Sequence, residues 1–312
     1  MRRALLALLL LLAALPAQAV DPLRLVSGFA PGGPTDQLAR VMAPVLGQLL
    51  DRPVVIENRA GAGATIAAAA VARAAPDGNT LLIATSSFVI TAATMANLPY
   101  DARRDFEPLY FLGEVQTLLV VAPTLGVTSM AELVAMARSG RQMNYASAGV
   151  GSTMHIAGEL FNIAAGTPVA HVPYRGVPPA MAGMLAGNVH MMNADLPVLR
   201  PFVLDRRVVP LVVYSPRRSP QLPDVPSAAE VGMPQLDMSN WYGILAPAGT
   251  PQPVMRRLEA AFAAARVQPD VAPRFADGGV SEPMGADAFR AKLAAEFDRW
   301  VPLLQRAGIR AE

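Results

Sequence analysis

Apolar positions in the first part of the chain recur at two different periods. Leu38, Val41, Met42, Val45, Leu46 and Leu49 fall at i, i+3, i+4, i+7, i+8 and i+11, the stripe of an amphipathic helix. Short apolar runs flank it, Leu23 to Gly28 and Pro53 to Glu57. Their length and their glycine and proline boundaries predict strands. An alanine-rich stretch after Asn58 predicts a second helix, stopped at Pro76-Asp77-Gly78, and Thr80 to Ala84 a third strand. Strands alternating with helices pack as βαβ units around a mainly parallel sheet.

The same grammar returns further along without a repeat of the sequence. Phe106 to Val121 reads as two apolar strand-like pieces, and the stretch from Ser129 to Gly140 as a short helix. Met143 to Ala146, Val169 to Tyr174, Val189 to Asn193 and Val208 to Tyr214 read as strands, and a helix follows Ser152. Met181, Met184 and Leu185 have helical spacing and are expected in the core. A strand through Trp241 and Tyr242 precedes a helical C-terminal third, Pro253 to Ala265 and Asp287 to Gln305. The pattern predicts an α/β protein of two lobes joined by two crossings, near 118–122 and 240–246. Residues 20–118 and 244–312 would form one lobe and 119–243 the other. The ligand site would then lie between them, at the C-terminal ends of strands.

The N-terminus has a different character. Arg2 and Arg3 precede an unbroken apolar run, Ala4 to Leu15, and Ala17-Gln18-Ala19 has the A-x-A form of a cleavage site. Residues 1–19 read as a secretory signal peptide, which predicts a soluble mature chain in the periplasm. Later apolar stretches are too short and interrupted to span a bilayer. The chain has no cysteine, hence no disulfide and no thiolate chemistry. Without Arg2 and Arg3, 24 basic residues face 24 acidic ones. That balance argues against nucleic acid or an anionic membrane surface as partner.

Candidate chemistry gathers at three places where a strand runs through small residues into a helix: Ser27 to Asp36, Ile83 to Phe88 and Tyr145 to His155. A helix start leaves N–H groups without intrahelical partners and carries a partial positive charge. Ser86, Ser87, Ser147, Ser152 and Thr153 add hydroxyls that either donate to an anion or cap the helix. At one junction alone, capping by Thr35 or Ser152 and a glycine turn is the sufficient explanation. Three junctions at corresponding strand ends favour a shared anion site. Gly33 is expected to need a positive φ or a close backbone approach, and Asp36 to be a first-turn structural residue. Trp241 and Tyr242 are expected to pack near the second crossing, with the cleft wall as the second place for one of them.

Other motifs are absent or incomplete. His155, His171 and His190 are the only histidines, and none forms an H-E-x-x-H or a close pair in sequence, so a zinc site is not expected. The turn at Gly32 and Gly33 lacks the G-K-[ST] of a nucleotide P-loop and the G-x-G-x-x-G of a dinucleotide fold. Hydrolase chemistry through Ser152 and His155, three apart on one helix, lacks an orienting acid and the G-x-S-x-G elbow. His155 is placed equally well in the cleft or against a neighbouring loop.

Several long segments then resemble one family in order along the mature chain. They are GFAPGGPTD, VVIENRAGAGATIAAAAVARAAPDGNTLLIATSS, LPYDARRDFEPL, NYASAGVGSTMHIAGELF, HVPYRGVPPAMAGMLAGNV, RSPQLPDVPSAAEVG and WYGILAPAGTP. They are similar to the periplasmic solute-binding receptors of the tripartite tricarboxylate transporter system, the Bug-type receptors. The resemblance implies a type II periplasmic-binding-protein fold, no catalysis and no cofactor. It also implies a small carboxylate ligand handed to membrane permease subunits, and a likeness of that kind fits a monomer. By the same resemblance, the loop Phe29, Ala30, Gly33, Thr35, Asp36 and the loop Ser147, Ala148, Gly149, Ser152, Thr153 clamp a carboxylate from opposite lobes. The segment Thr85, Ser86, Ser87 borders the site. The family commonly has V-P-Y-K-G where this chain has Val172-Pro173-Tyr174-Arg175-Gly176, and Arg175 keeps the charge with a different geometry. The family often has Asp-Asn where this chain has Ala194-Asp195. In other members that acid can pair with the amino group of an amino-acid ligand; its loss at Ala194 argues against an amino-acid ligand, unless Asp195 takes its place. A periplasmic sensor feeding a two-component system would need the same closing cleft and is the alternative reading of the sequence.

Overall fold

The computed structural model describes residues 21–310. The predicted signal peptide, residues 1–19, lies outside the described residues. The first lobe opens with β1 (Leu23–Ser27), α1 (Pro34–Leu50), β2 (Val54–Asn58), α2 (Thr65–Ala72), β3 (Thr80–Thr85) and α3 (Ser87–Thr94). β1 pairs in parallel with β2 and with β3. The α1 stripe buries Met42, Leu46 and Leu50. Leu49, which the periodicity places on this stripe, is exposed at 44%, because the last turn directs Leu50 to the sheet instead. Pro44 lies inside α1 without ending it.

β4 (Phe106–Val121) is one strand of 16 residues, where the sequence reads as two pieces. Its first part pairs with β9 (Ser239–Pro247), as far as Gln116 against Ser239. From Thr117 onward it pairs instead with β7 (Met191–Asp195) and β8 (Val209–Val213). Register shifts between Pro108 and Tyr110 and between Phe111 and Gly113 bend the strand before it changes partners. β7, β5 (Asn144–Ser147) and β6 (Ala170–Pro173) continue in parallel. The order through both halves is β2-β1-β3-β9-β4-β7-β5-β6, with β8 on β4.

Helices cover the faces: α4 (Met130–Arg138), α5 (Thr153–Ala165), α6 (Val177–Leu185) and α7 (Leu196–Leu204), then α8 (Gln252–Arg266), α9 (Ala272–Asp277) and α10 (Ala286–Arg306). On α6, Met181 and Met184 are buried as expected, but Leu185 is exposed at 37%. Trp241 is buried against Phe289 of α10, with ring centroids 5.6 Å apart.

Candidate functional site

The C-terminal ends of β1, β3, β5 and β7 converge between the two halves of the sheet. A cleft with about 440 Å³ of empty space, continuous with solvent, lies there. Its walls include Phe29 and Thr35 after β1, Thr85 and Ser87 after β3, Ala148, Ser152 and Thr153 after β5, and Ala194 and Asp195 at the end of β7. Thr117 of β4, Val177 of α6, and Asn240 and Tyr242 of β9 add to it. No lysine, arginine or histidine is among the lining residues.

The starts of α1, α3 and α5 all face this cavity, through Thr35, Ser87 and Thr153. A buried network ties two of them together. The Thr153 N–H donates to Ser87 Oγ at 3.1 Å, and Thr153 Oγ1 donates to Asn240 Oδ1 at 3.3 Å. The Ser86 N–H donates to the same Asn240 oxygen, and the Trp241 N–H to Ser86 Oγ. Ser152 caps α5 by accepting from the His155 N–H. These bonds consume several first-turn donors. Among the described residues, the Thr35 and Met154 N–H groups have no hydrogen-bond partner. The hydroxyls of Thr35, Ser87, Ser152 and Thr153 supply the remaining polar contacts.

Several sequence expectations change here. Thr35 is not the cap of α1: Gly33 takes that position without a side-chain bond, and Thr35 Oγ1 instead meets Ser27 Oγ at 2.8 Å. Gly33 itself has φ −75°, ordinary extended backbone; the left-handed residue is Gly32 at φ 78°. The Gly33 N–H closes the turn on Ala30 O, so it is spent inside the loop. Asp36 is outside the cavity lining, accepting from the Gly32 N–H at 2.9 Å and from Arg40 at 2.8 Å. Burial pushes the Asp36 carboxyl up, but those bonds outweigh it and hold it below the usual range.

Ala30, Ser86, Ser147, Gly149, Tyr174 and Arg175 do not line the cavity. Ser86 is one layer behind it in the Asn240 network. Ala30 and Gly149 sit in close backbone approaches: a Cβ on Gly176 would lie 3.0 Å from the Ala30 Cβ, and one on Gly149 3.3 Å from Tyr174 O. Ser147 Oγ bonds His171 Nε2 at 2.6 Å. Tyr174 packs its hydroxyl against Gly183 of α6, and Arg175 is exposed.

His155 sits in the second of its two expected places. Its ring stacks on His171 with centroids 4.2 Å apart, and its Nδ1 accepts from the Gly151 N–H. Burial lowers both histidines, and His155 helps push His171 down to about 4, so the stack is neutral. Ser152 Oγ meets the His155 backbone and not its ring, so the two do not form a nucleophile and base.

Tyr242 also takes the second of its two expected places, in the cavity wall. Thr117 and Asn240 are the polar residues that the sequence reading did not place in the site. The available signal was a polar side chain inside a buried strand, which has to find a partner or a ligand. Asn240 donates its side-chain amide to both Asp195 oxygens at 3.1 Å, an orientation fixed because Oδ1 receives the Ser86 N–H. The Tyr242 hydroxyl also bonds Asp195. Burial pushes the Asp195 carboxyl up from 3.8 to about 7, against the smaller pull of Asn240.

This shift has a stability consequence. The unfolded chain ionises Asp195 near 3.8, whereas the folded chain keeps the proton to about 7. The folded state therefore binds more protons over that interval, and stability falls as pH rises through it. The cost reaches about 4 kcal/mol above the folded value. Asp195→Asn removes the titration, so its melting temperature is expected to overtake the wild type's progressively from pH 5 to pH 8. A constant gap across that range would place the raised titration elsewhere.

The family profile described as Tripartite tricarboxylate transporter family receptor matches residues 38–309. The chain belongs to this receptor family. Its fold is that of solved family relatives. The periplasmic binding protein BugD is similar with a TM-score of 0.89 and 30% identity over 93% of this chain and 99% of that one. An R. palustris protein solved with adipate gives 0.87 and 32%, covering 93% and 98%. MatC from Rhodopseudomonas palustris, solved with malate, gives 0.87 and 32%, covering 91% and 99%. The type II two-lobed architecture expected from the sequence is the architecture of these receptors. The receptor family is one of solute binding, a non-enzymatic role.

Proposed function

We propose that this receptor captures a small organic carboxylate in the periplasm, as a monomer, and delivers it to the membrane permease subunits of a tripartite tricarboxylate transporter. The observation that carries this reading is the meeting of three helix starts and their hydroxyls on one cavity that has no basic side chain in its lining. Helix dipoles and N–H and O–H donors then hold the anion. The adipate and malate bound to the two relatives support a carboxylate of that class. In this reading the lobes are the segment up to Gln116 with the return from Ser239, and the segment between. They close on the ligand by bending where β4 changes partners and where the chain re-enters through β9.

Thermal unfolding against a panel of mono-, di- and tricarboxylates at pH 6 and pH 8 tests the proposal. A carboxylate at 100 times its Kd is expected to add about 2.7 kcal/mol, a rise of a few degrees. The matching amide, which brings no charge to the dipoles, is expected to give none. Equal shifts from acids and amides would overturn the anion-site reading.

A further inference from the structure

The cavity contains a feature at odds with a simple anion site: Asp195, a carboxyl group only 7% exposed, in its wall. Among the described residues no cation pairs with it. Its contacts are the neutral Asn240 amide and Tyr242 hydroxyl. Other titratable groups on the surrounding elements are engaged elsewhere. Asp36 on α1 is tied to Arg40, and His155 on α5 is stacked on His171. Arg200 on α7 reaches Gln221 O, Tyr145 on β5 bonds the His155 carbonyl, and Glu114 on β4 pairs with Lys292. Thr117 stands directly across the strand pair from Asp195, and its buried Oγ1 has no partner among the described residues.

An anion admitted to this cleft shares it with Asp195, whose buried carboxyl has only neutral partners. Two negative charges in that geometry disfavour one another strongly, and the usual resolution is a proton on one of them. Asn240 and Tyr242 already supply hydrogen bonds to the group. A protonated carboxyl adds a donor, and Thr117 Oγ1 adds another beside it.

Resting on the carboxylate reading above, we propose that Asp195 is the specificity-determining residue of the cleft and that the ligand anion enters together with one proton from solvent, held on Asp195 while the cleft is occupied. The site then selects di- and hydroxycarboxylates, which present an acceptor oxygen to Asp195. It gives no such advantage to ligands that present an ammonium group there, which call for the ionised acid and would release a proton instead of taking one up. Asp195 thereby acts by hydrogen bonding, not by charge, and affinity follows pH.

Isothermal titration with malate, succinate and adipate, in two buffers of different ionisation enthalpy at each pH from 6 to 9, tests this. The expected result is uptake of up to one proton per ligand near pH 8. Affinity is expected to fall about tenfold per pH unit once free Asp195 is ionised. In Asp195→Asn, whose amide mimics the donor, proton uptake and the pH slope are expected to vanish. Wild-type binding with no proton uptake and no pH slope overturns the proposal. So does tighter binding of an amino-dicarboxylate such as aspartate than of succinate, with proton release, since that outcome makes Asp195 a counter-ion. If no carboxylate binds at any pH, the carboxylate reading itself fails, which is a different result from binding without a slope. The wild-type measurement decides the matter even if the variant folds poorly.

Discussion

Ser152→Asp is expected to reduce carboxylate affinity at least 100-fold, with some loss of stability because Ser152 is buried. Aspartate caps helices as well as serine does, so the bond that Ser152 accepts from the His155 N–H keeps an acceptor. The new charge, however, faces the cavity that the proposed anion occupies. Two like charges about 5 Å apart at an effective dielectric of about 20 repel by about 3 kcal/mol, which sets the size of the loss. Ser152→Ala separates the two roles. It is expected to cost about 1 kcal/mol of stability through the lost cap and only a moderate loss of affinity, because the neighbouring hydroxyls remain. Affinity is read by titration calorimetry and the cap by thermal unfolding. Wild-type affinity in Ser152→Asp would reduce Ser152 to a helix cap.

Gly63→Ala is expected to weaken binding by tenfold or more, chiefly by opposing closure. Gly63 lies in the turn before α2, far in sequence from the loop that starts α5. Yet a Cβ placed on it would stand 2.6 Å from Val150 O and 3.1 Å from the Gly151 carbonyl carbon. Both are backbone atoms of the opposing half, so that clash is not relieved by a rotamer change; a third contact, 3.0 Å from Thr91 Cγ2, is with a side chain of its own half. Gly63 has φ 61°, which also strains an alanine, but its neighbours Ala62 and Ala64 already have positive φ. The local turn thus accommodates such residues, and the main penalty falls on the closed state. A ligand that contacts both halves binds the closed state better and shifts the population toward it. Small-angle scattering is expected to show a radius of gyration that contracts with a bound carboxylate in the wild type and contracts less in Gly63→Ala. Equal contraction and equal affinity would remove this contact from closure.

The cavity also accounts for why its members were unevenly legible. Thr35, Ser87, Ser152 and Thr153 announce themselves by position, since each begins a helix directly after a strand and a run of small residues. Arg175 and Asp36 carry charge in the right neighbourhood of the sequence, but one faces solvent and the other is consumed by Gly32 and Arg40. Asn240 and Tyr242 lie more than 40 residues from Asp195 in a buried strand, and only the pairing of β9 with β3 and β4 sets them across from it. Charge and composition cannot report such a meeting.

Local periodicity, turn residues and the N-terminal pattern are properties of neighbouring residues, so the sequence by itself determined the α/β grammar, the strand-to-helix junctions and the expectation of an anion site. It also carried the motifs that place the chain among these receptors. The tertiary structure alone decided the rest. It drew Phe106–Val121 into one strand serving both halves of the sheet, turned Gly33 into ordinary extended backbone, and directed His155 onto His171. It also buried Asp195 beside the neutral partners Asn240 and Tyr242. Each of these depends on which distant segments share a strand edge or a cavity wall, and on how much water they exclude. Burial of a charge is a property of the whole surrounding fold, and no short stretch of sequence encodes it.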